Sequence, residues 1–185
     1  MSLYENYPKE VFHSTMNLIG THDTERALTL LEERNPEKGK VLLKLAIAFQ
    51  MTFPGVPLIY YGDEAGMRGG RDPKNRATYP WGKEDKEILD YYRKLTSLRR
   101  DLDILKKGSL SFIETDEDIA AFEREYQGEK LITVVNRSYE AKRLTINTGS
   151  HYSALKDIIS GEDIYIDLTG AIVVEPYGVK IIKVV

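Results

Sequence analysis

Cysteine is absent from all 185 residues. That absence excludes a disulfide scaffold, a thiolate zinc site and a cysteine nucleophile. Long apolar runs are absent as well. The greasiest stretch, Val41–Phe53, is broken by Lys44 and Gln50, and it falls short of the roughly 20 residues of a membrane helix. There is no excess of positive charge, with 26 Lys and Arg against 29 Asp and Glu and a formal net charge of −3. A nucleic-acid surface usually needs a basic patch or stripe, so neither nucleic acid nor membrane is expected as a partner. The start of the sequence does not read as a signal peptide, and Met1-Ser2-Leu3 has the character of a cloning scar. The lack of cysteine is compatible with the cytoplasm, which is the favoured location.

What is present is an ordinary globular mixture, 42% hydrophobic and 30% charged, enough to bury a sizeable core. The character of the chain changes near Lys106–Gly108, which divides it into residues 1–105 and 106–185. The first part reads as two strand–helix units. Met16–Gly20 is a short apolar run followed by a helical stretch over Thr24–Glu33. Asn35-Pro36 has the form of an N-cap with proline at the first helical position. The helix it opens carries Leu42, Leu45 and Phe49 at helical spacing. It is expected to stop by Phe53, because the residue before Pro54 disfavours helical backbone. Val56–Tyr61 is expected to be a second buried strand, followed by a glycine- and charge-rich loop over Gly62–Gly82. Glu84–Leu102 is amphipathic, with Ile88, Tyr91, Tyr92, Leu95, Leu98 and Leu102 on one face.

Apolar strands alternating with helices point to a parallel sheet. A closed eight-stranded barrel takes about 200–250 residues, so two units cannot close one. The second part reads as short strands over Ser109–Glu114, Ile119–Tyr126, Lys130–Asn136, Arg143–Ile146, Ser153–Ile159, Asp163–Asp167, Ala171–Val174 and Val179–Val185. Gly, Asn and Asp turns separate them, as in an antiparallel sandwich. The fold class is therefore α+β in several parts.

Two segments carry polar chemistry at the ends of apolar strands. In the first, Asn17–Arg26, His22 and Asp23 together can hold sugar hydroxyls. The alternative is that Asp23 caps the next helix and His22 is a satisfied loop histidine. In the second, Gly62–Arg76, the glycines permit close ligand approach, and Asp72 and Arg76 can make charge-assisted hydrogen bonds. Trp81 and the tyrosines offer apolar faces to a sugar ring. The alternative is a solvated loop with an exposed Asp72–Arg76 ion pair. Spacing alone leaves both alternatives open. Asp63-Glu64 is too little for a hard-cation site, and the loop lacks the spacing and the lysine–hydroxyl pair of a P-loop. No metal or cofactor is expected.

Taken together, these segments resemble one family. His22-Asp23-Thr24-Glu25-Arg26 after an apolar strand is similar to the last signature region of the α-amylase family of glycoside hydrolases. Gly55–Glu64 resembles that family's final barrel strand. Gly69–Arg76, leading to Pro80-Trp81, resembles its neopullulanase, cyclomaltodextrinase and maltogenic amylase branch. The resemblance implies the last two strand–helix units of a (β/α)8 barrel followed by a C-terminal β-sandwich domain. It implies that Asp23 is the third catalytic carboxylate and that His22 bonds the same sugar. Asp72 and Arg76 would hold glucose units on the non-reducing side of the cut. It assigns no chemical role to the Asp63-Glu64 pair.

Retaining glycosidases also need a carboxylate nucleophile and a general acid about 5–5.5 Å apart. In this family both lie upstream of the His-Asp motif. Only Met1–Thr15 precedes that motif here, and its Glu5 and Glu10 lie on no apolar strand. The resemblance therefore implies part of a retaining α-glucan hydrolase, acting on α-1,4 links of cyclodextrins, pullulan or malto-oligosaccharides, that is inactive alone. Its expected partners are an α-glucan oligosaccharide, the missing N-terminal barrel half and further copies of itself. A non-catalytic carbohydrate-binding or structural module is the alternative.

Overall fold

Strand β1 (Met16–Leu18) and strand β2 (Val56–Leu58) run parallel, with Met16 opposite Val56 and Leu18 opposite Leu58. The computed structural model that shows this describes residues 6–146 and 154–184. Glu5, the first residue of the strand expected at 153–159 and the last of the strand expected at 179–185 lie outside them. The chain divides into two units, one ending at Asp101 and the other beginning at Leu102.

In the first unit a short helix α1 (Lys9–His13) precedes β1, with Phe12 buried edge-on to Phe53 at 6.0 Å. Helices α2 (Ala27–Arg34) and α3 (Gly39–Thr52) connect β1 to β2. Helix α3 buries Leu43, Leu45, Ile47, Ala48 and Met51; of the expected Leu42, Leu45 and Phe49 only Leu45 is fully buried, the other two being half-buried. Pro36 does not open this helix. Residues 35–38 form a turn in which the Lys38 N–H donates to Asn35 O at 3.1 Å, and the helix begins at Gly39. A Cβ at Gly39 would come 2.3 Å from Glu32 Cγ. The entry to α3 is thus packed closely on α2. The helix ends where expected, with Phe53 extended before Pro54.

Helix α4 (Lys86–Asp101) buries Ile88, Tyr92, Leu95 and, on the same stripe, Arg99. The Arg99 guanidinium donates to Met51 O at 2.7 Å, to Phe53 O at 2.9 Å and to Gly55 O. It thus caps the end of α3 and fixes the entry to β2. Gln50 joins the two strands from the helix side, its amide donating to Asn17 O at 2.8 Å and Leu58 O at 3.0 Å.

The expectation of a fully buried second strand is not met. Val56 is 51% and Leu58 40% exposed, beside Met16 at 65% and Leu18 at 48%. Side chains alternate across a strand, so these four stand on one face of the two-stranded sheet.

The second unit opens with helix α5 (Asp103–Lys107). Strands β3 (Ser111–Thr115), β4 (Ile119–Tyr126), β5 (Glu129–Asn136), β6 (Lys142–Thr145), β7 (Leu155–Asp157), β8 (Ala171–Val174) and β9 (Val179–Val184) follow. They form an antiparallel five-stranded sheet, β3-β4-β5-β9-β7, and an antiparallel pair, β6-β8. Ala121, Phe122, Ile132, Val134, Ile172, Val174 and Ile182 are almost wholly buried, and both sheets contribute to one hydrophobic cluster. Arg124 is fully buried and donates to Leu105, Gly108 and Ser109 carbonyls at 3.1, 2.9 and 2.8 Å, tying α5 to β4.

The strand expected over Asp163–Asp167 does not form. One bridge joins Asp163 to Lys156, and the Ile164 N–H reaches Leu155 O at 2.8 Å. The alternation remains, with Ile164 and Ile166 packed on the core and Tyr165 86% exposed. Two carboxylates explain why pairing stops. Asp157 accepts from the Ile159 and Ile181 N–H groups, ending β7 in a turn. Asp167 accepts from Thr169 and Ala171, ending the extended segment in another.

Candidate functional site

Because β1 and β2 are parallel, the segments leaving their C-terminal ends emerge on the same side. Residues 20–26 and 61–76 therefore meet, although about 50 positions separate the contacting residues. In barrels of such units, that end is where sites form.

The meeting place has an exposed layer and a buried layer. In the exposed layer, His22 Nε2 lies 3.2 Å from Asp23 Oδ1. Arg76 Nε lies 2.9 Å from Asp72 Oδ1, and Arg76 Nη2 lies 3.9 Å from Asp23 Oδ1. Arg76 Nε also donates to His22 O at 3.2 Å. The four residues singled out in the sequence thus form one group, open to solvent. The capping role considered for Asp23 is not realised: Arg26 occupies the N-cap of α2, with no side-chain cap bond. The ion pair considered for Asp72 and Arg76 is present. What the simple surface-pair reading lacks is the shared contact of Arg76 with His22 and Asp23.

The buried layer was not legible as a site. Arg26 is 1% exposed and pairs with Asp63, 6% exposed, at 2.8 Å. The guanidinium also donates to Tyr61 O at 2.6 Å and Asn75 O at 2.9 Å. It lies 4.3 Å from the Tyr60 ring centroid and 4.8 Å from that of Tyr61, a cation–π arrangement. Burial pushes the Asp63 carboxyl up, while the hydrogen bond and charge of Arg26 pull it back down. Asn75, 1% exposed, donates from Nδ2 to His22 O and Thr24 O, both at 2.8 Å. Arg26 had been visible only as part of the His-Asp segment. Asn75 sits between exposed Lys74 and Arg76 in a single 3-10 turn, Lys74–Arg76, where no periodicity marks it.

The glycines of the second loop have specific work. A Cβ on Gly69 would lie 2.4 Å from Lys74 O, so only glycine lets the loop fold back on that turn. The Gly69 carbonyl accepts from the Arg26 N–H at 2.9 Å, and its N–H donates to Thr29 Oγ1 at 2.8 Å. Arg68 grips Glu32 of α2 by two bonds of 2.6 Å each. Glu64 turns inward, its carboxylate accepting from the Gly62 N–H at 2.8 Å. Trp81 is 81% exposed and lies 4.5 Å from the Tyr79 ring centroid. Glu10 is an exposed residue of α1. Among the described residues, no group of three His, Asp or Glu side chains is arranged to hold a metal ion. No helix there is long and apolar enough to cross a membrane.

Comparison with known proteins finds relatives of one kind. Residues 2–87 match the family model of the α-amylase catalytic domain. Over 199 residues the chain is 41% identical to an amylopullulanase of Thermoanaerobacter thermohydrosulfuricus, covering 95% of this chain and 13% of that protein. A cyclomaltodextrinase of Thermoanaerobacter pseudethanolicus is 45% identical over 134 residues, 71% of this chain and 22% of that one. The α-amylase of Geobacillus thermoleovorans, solved in complex with acarbose, superposes with a TM-score of 0.81 at 29% identity, over 94% of this chain and 39% of that chain. The chain thus spans only a minor part of the length of each of these proteins. Its residues 2–87 belong to the α-amylase family, and its relatives include cyclomaltodextrinases and a neopullulanase.

Proposed function

We propose that the chain supplies part of the sugar-binding machinery of a retaining α-glucan hydrolase acting on α-1,4 links of cyclodextrins, pullulan or malto-oligosaccharides. The observation that carries this reading is the open His22–Asp23–Arg76–Asp72 group at the C-terminal ends of two parallel strands. In this reading Asp23 and His22 bind hydroxyls of the sugar undergoing cleavage and favour its distorted, transition-state-like ring. Asp72 and Arg76 hold glucose units on the non-reducing side. Exposed carboxylate, imidazole and guanidinium groups, held in one place, suit a ligand made of hydroxyls.

The reaction also needs a nucleophile and a proton donor about 5–5.5 Å apart. In this reading they reside on other strands of the same barrel, so the 185 residues do not hydrolyse alone. The exposed face of Met16, Leu18, Val56 and Leu58 is where such strands pack, and the second unit is the β-sandwich that follows the barrel. Without those strands, copies of the chain associate through that face. Light scattering that finds only monomer over a wide concentration range counts against such association.

The test of the chemistry is reducing-sugar release from β-cyclodextrin and from pullulan by the purified chain, beside Asp23→Asn. No release from either protein is expected. Release by the wild type that is lost in Asp23→Asn overturns the reading, because the acid and nucleophile would then lie within these residues.

A further inference from the structure

Segments 20–26 and 61–76 hold each other by a reciprocal clasp. The Arg26 side chain, from the first segment, grips the backbone of the second at Asn75 O and Tyr61 O. The Asn75 side chain, from the second, grips the backbone of the first at His22 O and Thr24 O. These two carbonyls flank Asp23. We propose that Asn75 is the positioning residue of the site: its amide donates to the carbonyls on either side of Asp23 and so sets that carboxylate against the Asp72–Arg76 turn.

Three observations carry this assignment. Asn75 is 1% exposed, so it touches no ligand in the open group above it. Both hydrogen bonds end on carbonyl oxygens, which fixes the amide orientation, since only the NH2 end can serve two acceptors. That orientation leaves Oδ1 buried without a hydrogen-bond partner. A side chain chosen for packing alone does not require an orphaned acceptor; one chosen to donate twice toward His22 and Thr24 tolerates it. The neighbouring Arg76 uses the same His22 carbonyl at 3.2 Å, so the turn that carries Asp72 and Arg76 is tied to His22 through two successive residues.

The test uses the 185-residue chain, with Asn75→Ala and Asn75→Asp. Aspartate keeps the shape of asparagine but, ionised, only accepts hydrogen bonds. Backbone order parameters at His22, Asp23 and Thr24, measured by 15N relaxation, are expected to fall in both variants, from the rigid value near 0.85 to below about 0.6. The core amides of α3 are expected to stay unchanged. Loss in Asn75→Ala together with wild-type order in Asn75→Asp overturns the proposal, because it assigns Asn75 to packing. If either variant fails to fold, the wild type decides. Its Asn75 side-chain amide protons are expected to exchange with solvent far more slowly than those of an exposed asparagine, and exchange at the exposed rate overturns the proposal.

The sugar consequence rests on the glucan reading above and is read separately. Maltotriose titrated into the wild type is expected to shift the His22, Asp23 and Asp72 amides, with about tenfold weaker affinity in both variants. A wild-type site that ignores maltotriose sinks the glucan reading, while the relaxation and exchange measurements still decide the role of Asn75.

Discussion

The carboxylate of Asp63 lies against Gly20 so closely that a Cβ on Gly20 would stand 2.4 Å from Asp63 Oδ2. Gly20 ends the run that follows β1, and Asp63 begins the loop that follows β2. The contact therefore sets how near the two segments come. Asp63 cannot swing aside cheaply, because it is buried and paired with Arg26 at 2.8 Å. Gly20→Ala is expected to destabilise the first unit by about 1–3 kcal/mol, the usual cost of an inserted methyl in a packed place. Urea unfolding measures it; an unchanged midpoint would mean that the carboxylate relocates freely.

Arg26 and Asp63 are predicted to be strongly coupled. Removing one partner strands the other as a buried charge, at a cost of about 3–5 kcal/mol. Arg26→Met and Asp63→Leu should each approach that loss. The pair Arg26→Met with Asp63→Leu should recover part of it, though not the bonds Arg26 makes to Tyr61 and Asn75. A double-mutant cycle in urea reads the coupling. Additive losses would show that the two residues act independently.

Arg76 should separate stability from binding. Its side chain is 47% exposed, and its partners Asp72 and Asp23 are 62% and 73% exposed. Exposed pairs contribute little to folding, so Arg76→Ala is expected to cost less than about 1 kcal/mol. On the proposed function it should nevertheless weaken maltotriose binding at least tenfold. Calorimetric melting and a sugar titration on the same sample test both halves.

In the second unit Asp167 should make stability acid-sensitive. The Thr169 hydroxyl, the Thr169 and Ala171 N–H groups and the charge of Arg143 hold its carboxyl at about 2, below the ordinary 3.8. A carboxyl with a lowered folded-state value loses its proton sooner in the native than in the unfolded chain. Its contribution is therefore complete above pH 3.8 and disappears as the pH falls toward 2. Urea midpoints of the second unit should fall across that window, and less steeply in Asp167→Asn. Equal slopes would place the acid sensitivity elsewhere.

Much of the fold could be read from local signals. The apolar period of α3, its end before Pro54 and the amphipathic stripe of α4 each follow from residues a few positions apart. Most strands of the second unit lie within two residues of their alternation pattern. Other readings failed. Pro36 lies in a turn closed by Lys38 N–H on Asn35 O, and the helix begins three residues later. The segment 163–167 keeps its alternation but loses its pairing to side-chain turns at Asp157 and Asp167.

The same division runs through the site. His22 and Asp23 stand out as polar groups just after an apolar strand, whereas Asp72 and Arg76 lie in a charged loop, and it is the family resemblance that gave all four their roles. Arg26, Asp63 and Asn75 were not visible as partners. Nothing in a run of charged and polar loop residues says which will be buried, and their meaning lies in contacts made across 35 to 53 positions. The sequence by itself determined which residue types stand at the strand ends and where the helices begin to be possible. Only the tertiary structure decided that two parallel strands deliver those ends to one place. A hydrogen bond there is set by distances in space, and spacing along the chain does not encode them.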